Sequence, residues 1–285
     1  MVRIVGAAPR RECLQAHGLG RADDTDMTET IWADLIGELD AWSAAERAAT
    51  LWWRDDGAAR HTPALDRLLQ MRQGLDVPVA LAVIPAAADS GLRDRLASES
   101  GVAVLQHGSS HKNFAGGEDR KIELDDSRPA EHVVADLAMG GQALGKFANR
   151  LPALVPPWNR IAPHLVRFLP EIGIRGLSTI GARTREVPIR GLRQNNVHID
   201  VIDWRGKRTG TARGFLGSDF IINEVVSHLH ARRTGGADAG EATGLMTHHA
   251  DMDDAMFEFV TELVNRTRAH PAVVWQRASE VFSCS

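Results

Sequence analysis

The sequence contains no tyrosine, only two cysteines and no long hydrophobic run. Without tyrosine, a catalytic phenol is excluded. Cys13 and Cys284 lie near opposite ends of the 285-residue chain, which argues against a disulfide framework and against a thiolate metal site. No apolar run approaches the roughly 18 residues that a membrane-spanning helix needs.

The chain also has no excess of basic residues over acidic ones. The net charge is −4, so the chain offers no basic field for nucleic acid or for an anionic membrane surface. The first 18 residues, MVRIVGAAPRRECLQAHG, hold too short an apolar stretch for a signal peptide, and the paired arginines follow that stretch. We therefore expect a cytoplasmic protein with no nucleic-acid or membrane partner. The sequence does not predict an oligomeric state.

The composition, with 44% hydrophobic and 25% charged residues, is that of an ordinary globular protein. Residues 1–26 lack apolar periodicity and are predicted to be a weakly ordered tail. Asp26 and Glu29 have the spacing of a capping box, and apolar residues recur at helical spacing from Ile31 to Trp42. We therefore predict an N-terminal helix, and a single domain over residues 27–285.

Strand and helix patterns alternate along the rest of the chain. Strands are predicted at 49–53, 77–84, 102–106, 153–155, 175–179, 197–204, 243–249 and 272–276. Helices are predicted at 62–74, 90–100, 129–149, 163–171, 218–232 and 252–268. Such alternation indicates parallel βα units, and seven or eight of them predict an α/β fold with a distorted (β/α)7–8 barrel.

Unusual polar residues follow the predicted strands. Asp55 and Asp56 come after the first strand, and His107 and His111 come after the third. The segment PPWNR (156–160) follows the fourth strand, and a pair of histidines, 248–249, ends a late one. The carboxyl ends of parallel strands form one face of a barrel, where active sites assemble. We therefore expect these side chains to share a site.

The H-x-x-x-H segment (107–111) is typical of a metal site, because two imidazoles four residues apart on a helical turn can reach one ion. Surface histidines are the alternative interpretation of that spacing. Asp55 and Asp56 can also be read as a helix cap, although a cap needs one carboxylate and not two. Together on one face, the two histidines and one carboxylate predict a metal site with positions open for water.

The order D-D-G, H-x-x-x-H, P-P-W, D-x-x-D-W and a strand-end histidine resembles the polysaccharide deacetylase family, carbohydrate esterase family 4, over about residues 48–280. The resemblance implies a distorted barrel and the removal of N- or O-acetyl groups from sugars with a zinc-type metal. It also implies Asp56, His107 and His111 as metal ligands and Asp55 as the general base. Asp203 would then orient His248, the general acid.

The same resemblance suggests a set of substrate- and oxyanion-binding residues. The backbone N–H of Trp158 would help to hold the oxyanion. The full predicted set is Pro157, Trp158, Asn159, Arg160, Trp204 and His249.

Three departures from the family pattern bear on activity. Trp53 and Arg54 stand where the family has Thr-Phe, and Val155 stands where the family has an arginine that pairs with the catalytic base. Arg54 or Arg160 could substitute for that arginine. The last motif has two histidines, and His248 fits the acid role better because the residues before it follow the strand pattern.

These observations predict a metal-dependent deacetylase with zinc as the first candidate cofactor. Its expected substrate is a soluble acetylated sugar or sugar conjugate. Two alternatives stay open. One is a C–N hydrolase acting on ureide-like small molecules, and the other is a catalytically silent sugar-binding barrel. The complete acid–base set argues for catalytic activity, whereas Val155 in place of the family's arginine argues for a catalytically silent protein.

Overall fold

The computed structural model of the chain describes residues 23–117 and 120–283. The helices are α1 (Asp23–Ala44), α2 (Pro63–Leu75), α3 (Ser90–Leu96), α4 (Ala130–Leu144), α5 (Ser218–Thr234), α6 (Asp254–Arg268) and α7 (Ala278–Val281). The strands are β1 (Ala49–Ala58), β2 (Val79–Val83), β3 (Val102–His107), β4 (Arg150–Val155), β5 (Gly176–Leu177), β6 (Arg193–Gln194), β7 (Ile199–Asp200), β8 (Ile202–Asp203), β9 (Gly214–Phe215), β10 (Thr243–Thr247) and β11 (Val273–Trp275).

Parallel pairing organises the main sheet in the order β6-β5-β4-β3-β2-β1-β10-β7, with β11 paired to the start of β1. The two ends of this order, β6 and β7, belong to one extended segment, residues 193–200. Asn195 N–H donates to the carbonyl of Leu177 in β5 (3.1 Å), and His198 N–H donates to the carbonyl of Gly244 in β10 (2.8 Å). The sheet therefore curls into the predicted distorted barrel with helices outside it.

The side chains of β1 alternate between the inside and the outside of this barrel. Trp53 packs outward in the large core beneath the helices. Trp52 packs inward with small or slender residues from four neighbouring strands, among them Ala80, Leu105 and Met246. Small interior residues leave room for Arg54, which lies on the same inward face and is fully buried.

Helix α1 packs against α5 through the apolar face that the sequence predicts. Trp32, Leu35, Leu39 and Trp42 are all buried, and burying each stabilises the fold by about 1.5–3 kcal/mol. Glu38 on the same helix accepts hydrogen bonds from Arg233 of α5 at 2.7 and 2.9 Å. Among the described residues, no helix has both the length and the apolar character needed to cross a bilayer.

Some predicted boundaries are wrong. Strand β1 continues to Ala58, past the polar residues at which the sequence suggested an end. Pro163–Phe168 and Pro170–Ile172 form short three-ten helices, because Pro170 has no N–H with which to continue an α-helix from Pro163. The predicted strand 197–204 is divided into β7 and β8, and β8 pairs with β9 in an antiparallel hairpin.

The predicted N-terminal tail, residues 1–26, lies mostly outside the described residues. Helix α1 begins at Asp23, so residues 23–26 belong to that helix and not to the tail.

Candidate active site

Arg54 and Asp56 form a buried ion pair on the inward face of β1. Their positions are two residues apart on a strand, so both side chains point into the barrel. Arg54 Nε donates to Asp56 Oδ1 and Nη2 donates to Oδ2, both at 2.8 Å. Burial opposes ionisation of Asp56, but the Arg54 guanidinium and positive charge on His107 and His248 together lower the pKa of the carboxyl below its ordinary value. The inward face of β1 therefore carries an ionised carboxylate that Arg54 holds in place.

Two further residues hold the Arg54 side chain. Ser178 Oγ accepts from Nη1 at 2.7 Å, and Asn159 Oδ1 accepts from Nη2 at 2.6 Å. Both partners come from other strand ends, after β5 and β4. Arg54 therefore ties three strand ends together around Asp56.

Asp55 points the other way, which corrects its predicted placement beside an attacking water. Its Oδ2 accepts from Thr247 Oγ1 (2.6 Å) and from the backbone N–H of His249 (2.9 Å), and its Oδ1 lies 2.5 Å from His249 Nδ1. The residue is fully buried. Adjacent residues on a strand face opposite sides, and Asp55 lies on the outward side, where it joins β1 to the end of β10.

His249 is a hydrogen-bond partner of Asp55. Burial alone would lower the pKa of His249, but the Asp55 carboxylate beside it raises the pKa above its ordinary value. This pairing occupies the Nδ1 of His249. The structure therefore gives His249 a strand-joining contact, whereas its predicted role was substrate binding.

His107, the last residue of β3, is oriented by a backbone carbonyl. Its Nδ1 lies 3.0 Å from the carbonyl oxygen of Val155. Because a carbonyl can only accept, Nδ1 carries the proton, and Nε2 keeps a free lone pair. Burial lowers the pKa of His107 to about 4. A neutral imidazole with its second nitrogen fixed in this way is the usual form of a metal-binding histidine.

His111 lies in a loop held by Glu123. The buried Glu123 carboxylate accepts from the backbone N–H groups of Ser109 (3.2 Å) and Ser110 (2.7 Å). Gly108 has a φ of +59°, and a Cβ at that position would come within 1.9 Å of Glu123. His111 itself has a φ of +59°, which is uncommon for a residue with a side chain. The loop conformation therefore depends on Gly108 and Glu123.

The histidines and the P-P-W turn meet in space. The ring of His111 lies 5.0 Å from that of His107 and 4.4 Å from that of Trp158, measured between centroids. Trp158 and Asn159 have φ values of +54° and +58°. Left-handed backbone at two consecutive residues costs free energy and is concentrated at functional sites. The turn thus places one aromatic ring and one Arg54-binding amide at the same cavity.

The D-x-x-D-W segment contains a second correction. The Asp203 carboxylate accepts from the backbone N–H groups of its own loop, including Arg208 (2.7 Å) and Thr209 (2.9 Å). These bonds, led by the one from Thr209, lower the pKa of Asp203 to about 2. Asp203 therefore shapes the loop and makes no hydrogen bond to His248.

Asp200, the first acid of the same segment, lies at the cavity. Its Oδ2 accepts from Trp204 Nε1 at 2.8 Å. Burial raises the pKa of Asp200, while a positive charge on His248 would lower it. The charge of His248 thus acts on Asp200, whereas the resemblance assigned the orientation of His248 to Asp203.

His248 faces the cavity from the end of β10. Its ring meets that of Trp204 edge to face at 4.6 Å, and its buried Nδ1 has no hydrogen-bond partner in the described parts of the chain. Burial raises the pKa of Asp56, and Arg54 and His107 lower it. Protonated His248 would lower it as well, by a smaller amount. His248 is thus the better placed of the two histidines for proton transfer.

A group suited by spacing to a metal ion lies elsewhere, at the amino end of β10. The ligand atoms of His198, His228 and Glu241 all lie within 4.8 Å of one another, so these residues could hold an ion; among the described residues no other group of three meets this spacing. Gly244 N–H donates to His198 Nδ1 (3.0 Å), so the proton of a neutral His198 is on Nε2, the atom that faces the group. A metal there requires a different tautomer.

The predicted ligands Asp56, His107 and His111 are more widely spaced, and Arg54 binds both oxygens of Asp56. Their chemistry nevertheless fits a divalent cation. His107 offers an unprotonated Nε2, burial lowers the pKa of His111, and Asp56 is held as an anion. A carboxylate has about four lone-pair sites, so Arg54 leaves acceptor capacity on Asp56.

Several residues of this site were not predicted. Glu123 has no motif that marks it. Asp200 lies inside a recognised motif, in which Asp203 was preferred. The pairing of Arg54 with Asp56 could have been predicted from the two-residue period of a strand.

No family model and no curated protein matches the sequence. Solved structures do match. A candidate polysaccharide deacetylase from Mycobacterium smegmatis is 17% identical, with a TM-score of 0.58 over 82% of this chain and 89% of that one. A family 4 pseudoenzyme from Bacillus anthracis is 11% identical, with a TM-score of 0.54 over 83% of this chain and 66% of that one.

A peptidoglycan N-acetylglucosamine deacetylase is 13% identical, with a TM-score of 0.50 over 84% of this chain and 90% of that one. At such identities the likeness shows the fold. The chain has the fold of the family 4 polysaccharide deacetylases, as the motif order predicted.

Proposed function

We propose that the chain is a metal-dependent hydrolase that removes the acetyl group from an N- or O-acetylated sugar or sugar conjugate. The observation that carries the proposal is the meeting of Asp56, His107 and His111 with His248 at the carboxyl ends of the barrel strands. The fold is that of deacetylases, which supports the reaction class. The fold alone does not select a substrate.

Asp56, His107 and His111 would hold the metal. Nitrogen and carboxylate donors suit zinc, which we propose as the first candidate. When bound, such an ion would polarise the acetyl carbonyl and lower the pKa of a bound water. The residues of the chain supply the rest of the chemistry.

His248 and Asp200 are the pair that we propose for proton transfer. Neutral His248 accepts a proton from the attacking water, and protonated His248 gives that proton to the leaving nitrogen or oxygen. Asp200 stabilises the charged imidazole between these steps. Asp55 is not assigned as the base, because its carboxylate is fully buried against Thr247 and His249.

Trp158 and Trp204 line the cavity next to His111 and His248. We propose that their rings flank the sugar, with the left-handed turn at Trp158 and Asn159 next to the acetyl group. Arg54 keeps Asp56 ionised and oriented, so its guanidinium serves the proposed metal ligand and not Asp55, the residue that the resemblance gave as the base.

A silent sugar-binding barrel is the second candidate, and one observation favours it. The Arg54 guanidinium is a built-in cation on Asp56, and it competes with any metal for that carboxylate. The Bacillus anthracis neighbour is a pseudoenzyme, and a mutant of that protein has restored activity.

Metal analysis and acetate release separate the two candidates. The purified protein should hold about one equivalent of metal and release acetate from at least one member of a panel of N- and O-acetylated sugars. His111→Ala should lose the metal, whereas His132→Ala, which changes an exposed histidine on α4, should keep it. Sugar binding without metal and without acetate release would establish the silent barrel instead.

A further inference from the structure

Glu123 is a buried carboxylate that no step of the proposed reaction uses. Only 1% of its surface is exposed. Its carboxylate accepts from Ser109 N–H (3.2 Å), Ser110 N–H (2.7 Å) and Ser110 Oγ (3.0 Å). These donors are neutral, and within residues 23–117 and 120–283 no cationic side chain forms an ion pair with Glu123. A buried carboxylate without a cationic partner is costly, so we expect it to have a role beyond packing.

The Glu123 carboxylate holds the short connection between two predicted metal ligands. Residues 108–110 connect His107 to His111, and two of the three hydrogen bonds to Glu123 come from the backbone of this connection. His111 then has a φ of +59°, and its ring lies 5.0 Å from that of His107, measured between centroids. The position of the His111 ring therefore depends on the Glu123 carboxylate.

Glu123 is itself fixed by the residue that follows it in the chain. Leu124 is buried, and its carbonyl accepts from Ala162 N–H at 2.8 Å. Leu124 also forms a parallel bridge with Ile161, in the segment after the P-P-W turn. On the other side, a Cβ on Gly108 would come within 1.9 Å of Glu123 Oε2, so glycine leaves the space that the carboxylate fills. The carboxylate is thus held in place from outside the histidine loop.

The charge of Glu123 also acts on the candidate ligands. Burial lowers the pKa of His111, and the Glu123 carboxylate opposes this effect. The ion pair of Arg54 with Asp56 has no net charge, so Glu123 adds a negative charge next to the histidines. A divalent cation bound there would be stabilised by this anion even though the anion is not a ligand.

We propose that Glu123 is a positioning residue of the metal site, which keeps His111 within reach of a divalent cation bound by His107 and offsets part of the charge of that cation. The proposal rests on the metal site of the function proposed above and adds to it a residue that touches neither metal nor substrate. Changing a residue that orients metal ligands in this way typically costs about 10–100-fold in metal affinity.

Zinc affinity tests this proposal. The dissociation constant is measured by competition with a chromophoric chelator for the wild type, for Glu123→Gln and for Glu131→Gln, a control at an exposed position of α4. Glu123→Gln removes the charge and keeps the size, so zinc should bind about 10–100-fold more weakly. Glu131→Gln should bind zinc as tightly as the wild type. Zinc that His111→Ala still binds belongs to another site and is subtracted.

The stability of the metal-free protein separates positioning from folding, and urea denaturation measures it. A Glu123→Gln protein that is less stable but binds zinc with wild-type affinity would have lost only a structural contact, which would overturn the proposal. If Glu123→Gln does not fold, Glu123→Asp decides, because its carboxylate keeps the charge but is one methylene too short to reach both N–H groups. Weaker zinc binding by Glu123→Asp would support the proposal, and unchanged binding would overturn it.

Acetate release separates this proposal from the hydrolase function. If the wild type binds zinc but releases acetate from no acetylated sugar, the hydrolase function fails, and the zinc affinities still decide the role of Glu123. If acetate is released and Glu123→Gln binds zinc as the wild type does, only the present proposal fails. A wild-type protein that binds no zinc at His111 would overturn the metal site and this proposal with it.

Discussion

Both ends of the barrel hold buried or half-buried histidines near a carboxylate and an arginine, yet their hydrogen bonds prepare them for different chemistry. At the carboxyl end, His107 Nδ1 donates to the carbonyl of Val155, so its Nε2 keeps a lone pair. At the amino end, His198 Nδ1 accepts from Gly244 N–H, so its Nε2 carries the proton. The backbone group offered to Nδ1 therefore decides which histidine can bind a metal.

The buried arginines at the two ends also differ in their hydrogen-bond partners. Arg54 meets an anion, Asp56, with two hydrogen bonds of 2.8 Å. Arg232 at the amino end meets neutral oxygens of Thr50 and Thr243, and burial lowers its pKa to about 10. Glu241 and Asp238 offset the Arg232 charge only in part. In the described parts of the chain no carboxylate forms an ion pair with Arg232, so a cation bound at the amino end would face its positive charge, which favours the carboxyl end as the metal site.

The largest expected effect concerns turnover at the carboxyl end. His248→Ala should cut turnover by about 10²–10⁴, the usual scale of general acid–base assistance. Asp200→Asn should also lower kcat, because it removes the charge that stabilises the imidazolium. His228→Ala at the amino end should leave kcat near the wild-type value. Steady-state kinetics on the best acetylated substrate measures all three variants.

The assignment of Asp200 can fail in a defined way. If Asp203→Asn matches the loss of His248→Ala while Asp200→Asn is active, then the original pairing of Asp203 with His248 is right in solution. Equal activity in all variants would place the proton-transfer group elsewhere.

The next effect is on stability. Asp56→Ala should reduce the free energy of unfolding by about 3–5 kcal/mol, because it leaves Arg54 buried and unpaired. Asp94→Ala, at an exposed position, should change it by no more than about 0.5 kcal/mol. Urea denaturation gives both values. A loss below about 1 kcal/mol for Asp56→Ala would mean that water reaches Arg54.

A smaller, pH-dependent effect is expected at Asp203. Its folded pKa of about 2 lies below the roughly 3.9 of an unfolded aspartate, so its ionised form stabilises the fold. This contribution is complete above pH 4 and is lost as the pH falls towards 2. Asp203→Asn should therefore be less stable than wild type at pH 7, and the difference in urea midpoint should shrink below pH 4. A difference independent of pH would exclude the charge as its cause.

The smallest effect is expected for removal of the start of the chain. A protein shortened to begin at Met27 should melt within a few degrees of the full chain, because residues 1–26 have no apolar periodicity with which to bury a face. Differential scanning calorimetry measures the shift. A much larger loss would show that the segment before Met27 contributes to the packed structure.

The parts of the fold that were predictable are those set by local pattern. The alternation of apolar strands with amphipathic helices gave the curled parallel sheet, and the spacing of Trp32, Leu35, Leu39 and Trp42 gave the packed face of α1. The three-ten turns at Pro163 and Pro170 were less predictable, because a proline at a first turn is compatible with an α-helix as well.

The site was predictable as a set of positions and less so as a set of contacts. Motif order placed Asp56, His107 and His248 near the carboxyl ends of strands, and their common role stays a prediction. The outward direction of Asp55 follows from the pairing of β1 with β10, in which Asp55 is opposite Thr247, and no local pattern contains that register. The loop whose backbone N–H groups bind Asp203 was likewise not predictable, because no local sequence pattern sets its conformation.

One measurement tests the central claim that the carboxyl end, and not the amino end, binds the metal. Crystals of the protein grown with zinc should show one anomalous-scattering peak within about 2.0–2.1 Å of a nitrogen of His107 and a nitrogen of His111. The group formed by His198, His228 and Glu241 should show none. A peak between His198, His228 and Glu241, with none beside His107, would contradict the account.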